Sequence, residues 1–140
     1  MTEKRDERSI IDNVVEEMKM SFNSPFYKKS DVQAACATGA FLSYAVYLQE
    51  TEFRTKGLAK VVARSFDHLD RKRLEGMMAE ASALLFKVES RMNSRTSWKH
   101  RAFASELLAK ADWTSRPEEL QIAFVHGYDS FNRVRGAKNE

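Results

Sequence analysis

The stretch from Ser30 to about Glu52 limits the folds open to this chain more than any other segment. Its first half is small (Ala34, Ala35, Cys36, Ala37, Thr38, Gly39, Ala40), and its second half is large (Phe41, Leu42, Tyr44, Val46, Tyr47, Leu48). Ser30-Asp31-Val32-Gln33 has the S-x-x-Q form of a capping box, which predicts a helix starting at Ser30. A helix that is apolar nearly all round must be surrounded by other elements, so this one is expected at the centre. Gly39 inside it costs about 1 kcal/mol relative to Ala. Close approach of another helix to the bare backbone would offset that cost.

The rest of the chain supplies helices to surround it. Ile10, Ile11, Val14, Val15 and Met18 recur at helical spacing and predict a first helix over about 9–20, after eight loose residues of mixed charge. Leu58, Val61, Val62 and Phe66 predict a short helix over 58–66, after a break at Thr55-Lys56-Gly57. Asp67 and Asp70 offer two N-caps. Leu74, Met77, Met78, Ala81, Leu84, Leu85, Val88 and Met92 then give the cleanest helical period in the chain. Trp98 to Ala111 predicts a fifth helix. Ser115-Arg116-Pro117-Glu118 reads as a second capping box that opens a sixth helix running to Phe131, with a loose tail over 132–140. Only 5 Gly and 2 Pro occur in 140 residues, against a usual share of about 12%. That scarcity disfavours barrels and sandwiches, which need many turns. The expected fold is all-α, a single compact domain of about six helices with core 9–131, in which consecutive long helices run antiparallel.

A single cysteine forms no internal disulfide, so a reducing compartment fits. No apolar run approaches the length of a membrane span, and the charged start MTEKRDERS is no secretion signal. The expected location is cytoplasmic, with no membrane partner.

Charge is unevenly spread. Arg54 to Arg101 holds 12 Lys/Arg and 5 Asp/Glu, and the remainder 11 and 15. A basic middle in an acidic remainder points to a surface that meets a polyanion, although solvated helix faces carry such residues too. Lys56, Lys60 and Arg64 lie four apart, nearly opposite the apolar row of their own segment, and Arg54 precedes them. Arg71, Lys72 and Arg73 stand at a helix start, where the macrodipole disfavours cations. Arg91, Arg95, Lys99 and Arg101 gather beside Trp98. Cations with aromatics suit single-stranded nucleic acid, the charge for phosphates and the rings for bases, though a core anchor is the commoner role for a tryptophan. No recognition helix, RNP motif or zinc finger is present, so binding would be independent of base sequence.

Signs of catalysis are few. No phosphate-cradling glycine loop, C-x-x-C or H-E-x-x-H occurs. His68, His100 and His126 fall in three different segments, and Asp67, His68 and Asp70 read better as turn and caps than as metal ligands. The set His126, Tyr128 and Asp129 is no more distinctive than many helix ends. Glu118 and Glu119 are explained by the helix start. The expectation is a chain that is not an enzyme, with no cofactor, no metal and no small-molecule substrate.

Two segments resemble the small subunits of CRISPR Cascade-type interference complexes, which are related to the C-terminal helical bundle of the large subunit. ATGAFLSYAVYLQ (Ala37 to Gln49) resembles a helix of that family with a small-residue start and an aromatic or Leu-Gln end. SRPEELQIAFVHGYDSF (Ser115 to Phe131) resembles its closing helix, with Gly127-Tyr128 at the Gly-Tyr pair. LDRKRLEGMM sits where the family carries a basic amphipathic middle. The resemblance implies a non-catalytic subunit of a ribonucleoprotein complex. It would pack beside other subunits and copies of itself along the guide RNA, and hold target and displaced DNA strands. The alternative is a helical adaptor, or a phage- or plasmid-borne inhibitor, whose basic face meets an acidic protein. Clustering of the basic residues on one face favours nucleic acid, and scatter favours the adaptor.

Cys36, among small apolar neighbours, reads as packing, since a reactive thiol needs exposure and a lowered pKa. The native protein should resist thiol reagents at Cys36. Cys36→Ala should cost about 1 kcal/mol or less by denaturant titration. Rapid native labelling would contradict the burial.

Overall fold

A computed structural model describes residues 13–16, 18, 28–48, 69–92 and 95–139. Four helices are traced in full: α1 (Ser30–Leu48), α2 (Arg71–Met92), α3 (Arg95–Lys110) and α4 (Pro117–Asn139). Residues 13–16 and 18 are also helical, with Val14, Val15 and Met18 buried, as expected of the first helix. No strand occurs among the described residues. The expected helix over 58–66 lies outside them, so the described fold is all-helical without a count of six.

α1 is the centre. Every residue from Asp31 to Ser43 except Gln33 is buried, and α2, α3 and α4 all pack on it. The directions follow from side-chain pairings. Asp31 near the start of α1 meets Thr114 and Ser115 just before α4, and Ser43 near its end donates to Asn132 Oδ1 at 3.2 Å. α1 and α4 therefore run parallel. Tyr44 meets His100 near the start of α3, so α3 runs the other way. Only two residues separate α2 from α3, and the two helices pack on each other, so α2 is antiparallel to α3. The consecutive pairs α2–α3 and α3–α4 are antiparallel as expected, while α1, α2 and α4 share a direction.

Two glycines set the central contact. A Cβ on Gly39 would lie 2.9 Å from the carbonyl carbon of Phe124 and nearer still to its oxygen. A Cβ on Gly127 would lie 2.8 Å from the carbonyl carbon of Cys36, again nearest its oxygen. Each helix thus lays a bare Cα against a carbonyl of the other, three residues before that helix's own glycine. The obstacle is backbone, which cannot rotate away. Cys36 is itself fully buried.

The helix ends differ in detail from the sequence expectation. Gln33 N–H donates to Lys29 O at 3.0 Å and Gln33 Nε2 to Lys28 O at 3.1 Å, so α1 begins its hydrogen bonding one residue before Ser30. Ser30 Oγ accepts from the Asp112 N–H at 2.9 Å. At α4 the capping box is shifted by one. Arg116 occupies the cap, its carbonyl accepting from Leu120 N–H and its own N–H donating to Glu119 Oε1 at 2.9 Å, with Pro117 at the first helical position. Ser115 is not the cap because Asp31 claims it. Asp31 is completely buried, and accepts from Thr114 N–H, Ser115 N–H and Ser115 Oγ at 2.8–3.0 Å. Asp70 is the cap of α2, accepting from Arg73 N–H at 2.8 Å. α3 starts at Arg95, three residues ahead of Trp98. The tail expected to be loose is helical to Asn139: Arg133, Arg135, Ala137 and Lys138 favour a helix over the cost of Gly136, and Ser43 holds Asn132.

Gly39→Ala and Gly127→Ala should each destabilise the protein by about 1–3 kcal/mol through overpacking. The double variant should lose less than the sum, because one displaced helix relieves both contacts. Gly76, in α2 with open space around its Cα, is the control: Gly76→Ala should stabilise by about 0.4–1 kcal/mol. Asp31→Ala should cost about 3 kcal/mol or more, since two backbone donors lose a charged acceptor in a buried place. Chemical denaturation of these variants checks the signs, and a neutral Gly39→Ala would sink the close-approach argument.

Candidate nucleic-acid interface

The described basic residues form two sets at opposite ends of α2. Arg71, Lys72 and Arg73 are exposed at its start. Arg91 lies in its last turn, about 30 Å away at 1.5 Å per residue. Arg95, Lys99 and Arg101 follow in the first two turns of α3. They do not make one continuous face. Arg54, Lys56, Lys60 and Arg64 lie outside the described residues, as do the side chains of Arg91, Arg95 and Trp98.

At the Arg71 end the charges balance. The starts of α1, α2 and α4 and the end of α3 meet there. Lys28, Lys29, Arg71, Lys72, Arg73, Lys110 and Arg116 are matched in number by Asp31, Asp70, Glu75, Glu106, Asp112, Glu118 and Glu119. Arg71 pairs with Glu75 at 3.0 Å and Lys110 with Glu106 at 3.4 Å. Such exposed pairs stabilise little, yet they show the cations answered locally. With Asp70 capping α2, the unfavourable start inferred for Arg71, Lys72 and Arg73 is offset within the fold.

The other end is different. From Arg91 to Arg101 the chain carries four cations and no acid. α3 has no acidic residue in its first turn, so Arg95 at its first position opposes the helix dipole without a carboxylate in that turn. Lys99 and Arg101 are half-buried, and His100 between them is buried. Tyr44 of α1 meets the His100 ring edge-on at 4.6 Å and Phe131 of α4 edge-on at 5.7 Å. One tyrosine ring therefore fixes the start of α3 against the last third of α4. There Arg133 donates from Nη2 to Ser130 Oγ at 2.8 Å. The cations of α4 are absent from the sequence-predicted set because a loose tail offers no fixed surface. Arg133, Arg135 and Lys138 lie between Asp129 and Glu140 in the sequence, and the side chains of Arg135 and Lys138 are outside the described ones.

Other candidate chemistry is dispersed. His100 packs under Tyr44, and His126 is half-buried on α4, two residues before Tyr128, which stacks on Phe124 at 6.3 Å. Asp70 is a cap, while Asp67 and His68 lie outside the described residues. Among the described residues no group of three or more His, Cys, Asp or Glu is placed to hold a metal ion, and no helix is long and apolar enough to cross a membrane. The groove between α2 and α3, about 360 Å³, is lined by Met78, Ala79, Ser82, Ser105, Leu108 and Ala109 beside the Arg71–Glu75 pair. Comparison with protein-family models, curated proteins and solved structures finds no match.

Proposed function

We propose that this chain is a non-catalytic helical subunit that binds the backbone of nucleic acid, of the kind found in Cascade-type interference complexes. In that role it stabilises target or displaced DNA strands beside other subunits and the guide RNA. The observation that carries the reading is the acid-free cationic set Arg91, Arg95, Lys99 and Arg101 at the junction of α2 and α3. Arg95 opens α3, where the helix dipole opposes a cation, which favours an external anion as its partner. The likeness of residues 37–49 and 115–131 to Cascade small subunits supports the assignment to such a complex. Phosphate contacts position a ligand without reading its sequence, in keeping with the lack of any base-reading motif.

The adaptor reading has its own support. Phe86 on α2 is 71% exposed and Ile122 on α4 is 54% exposed, and exposed large apolar side chains suit a protein partner. The two readings diverge in salt. If about four phosphates are neutralised, log K for single-stranded DNA should fall with log salt at a slope near −3, about −0.7 for each phosphate. Lys99→Glu with Arg101→Glu should weaken binding and flatten that slope by about 1.4, equally for unrelated DNA sequences. Lys56, Lys60 and Arg64 reversed to Glu test the other basic row in the same assay. Unchanged affinity and slope in every variant, with melting curves intact, would favour the adaptor.

A further inference from the structure

The side of the bundle formed by α2 and α3 carries a large apolar side chain and a hollow on one face. Phe86 of α2 is 71% exposed, the most exposed large apolar side chain among the described residues. Ser82 and Ala79 precede it by four and seven residues, so they lie on the same side of the helix, about 6 and 10 Å along its axis. These two line the groove of about 360 Å³ between α2 and α3, together with Met78, Ser105, Leu108 and Ala109. Met78 and Leu108 are buried and give the groove an apolar floor. Ala79, Ser105 and Ala109 are exposed and too short to fill it. Ala83 beside them is exposed too, and a Cβ on Gly76 would meet nothing within 4 Å. Along this face the order is hollow, then small residues, then phenylalanine.

We infer that this face pairs with a second copy of the chain about a two-fold axis that crosses α2 near Ser82, each copy seating its Phe86 in the other's groove. Ser82 lies midway between the level of Phe86 and that of Met78 and Ala79, so one rotation carries each phenylalanine onto the partner's hollow. The residues nearest the axis are Ser82, Ala79 and Ala83, whose short side chains let two copies of α2 approach. A different protein would have to bring both a knob and a hollow at this spacing, whereas a second copy supplies both by symmetry. The area fits a reversible pair. Glu75 to Phe86 spans about 18 Å of helix, and two neighbouring helices are about 20 Å wide, a contact of roughly 350 Å² on each copy. Phe86 sunk into a groove adds about 150 Å². The total of about 1,000 Å² reaches the lower bound of a specific interface and falls short of a lasting one. The pair therefore forms at high concentration and separates on dilution. This goes beyond the proposed nucleic-acid role and does not rest on it, since none of these residues belongs to the cationic set.

The test is sedimentation velocity on the full chain, freed of nucleic acid, from about 1 μM to about 1 mM. In about 1 M salt, where charge contacts are screened, the parent should still pass from monomer to dimer and stop there, because an isologous contact closes on itself. Phe86→Glu and Ala79→Arg alter exposed positions, and circular dichroism and thermal melting establish that both variants fold. Each alone should raise the dissociation constant of the dimer at least tenfold. Mixed in equal amounts at low salt, the two should recover a dimer. One groove then receives a native phenylalanine, and at the other the new carboxylate faces the new guanidinium. A parent that stays monomeric throughout, or a Phe86→Glu variant that dimerises like the parent, would overturn the inference. So would a mixture no more associated than its components, or growth of the parent past the dimer, which marks a head-to-tail contact.

Discussion

The fold depends on the contact of bare backbone between α1 and α4. Gly39 and Gly127 each admit a carbonyl of the other helix to a place that any Cβ would fill. Dispersion falls steeply with distance, so helices this close gain more contact along their whole seam than larger residues would permit. Cα–H groups facing carbonyl oxygens add a weak polar attraction. The arrangement also removes rotational freedom, because the two glycines sit at equivalent levels and slippage by one turn would set Ala35, Ser43 or a neighbour against backbone. Parallel direction and register are thus fixed together. They decide which residues share an end of the molecule.

Parallel packing has an electrostatic cost, since the dipoles of α1, α2 and α4 point the same way. The charge pattern answers it. Carboxylates gather where three helices start: Asp31 in the first turn of α1, Asp70 capping α2, Glu118 and Glu119 opening α4. Arg91, Arg135 and Lys138 fall in the last two turns of α2 and α4, where cations are favourable. Asp31 does more than offset a dipole. Its buried carboxylate gathers two backbone N–H groups and a hydroxyl from the connection between α3 and α4, locking that turn to the base of the central helix. α3 runs against the other three, and here the pattern breaks. Arg95 stands at its start, where its own dipole disfavours a cation. Fold stability explains the acids at one end and the cations closing α2 and α4, and it does not explain Arg95.

What is legible in the sequence is what local periodicity records. The all-round apolar character of Ala34 to Leu48 predicts a central helix, and Gly39 within it predicts close approach by a neighbour. Both follow from properties of a single segment. The partner of that approach is not legible, because Gly127 and Cys36 are far apart in the chain and nothing local records their pairing. Caps are legible to within one residue. Ser115 stands three residues before Glu118, but Arg116 and Glu119 have the same spacing, and only the tertiary contact with Asp31 separates the two. The tail carries the charge of a solvated terminus, whereas helix propensity and the Ser43 contact continue the helix. For the site, composition locates a basic middle of the chain. It does not show that Arg71 to Arg73 and Arg91 to Arg101 are separated by the length of α2.

That separation bears on mechanism. Two cationic sets about 30 Å apart could not grip the same few phosphates, so in the proposed role affinity would not be the sum of the basic residues. The set at the start of α2 is screened by its own carboxylates and by Arg71–Glu75 pairing, which leaves a small net field. The set at α3 has no carboxylate within its segment and is backed by a rigid aromatic junction of Tyr44, His100 and Phe131. Rigid backing reduces the ordering cost when a ligand docks, while long Lys and Arg side chains keep the adaptability that backbone contact without base reading requires. In the proposed role, a surface built in this way would hold a strand without regard to its sequence, and leave the choice of sequence to whatever presents the strand to it.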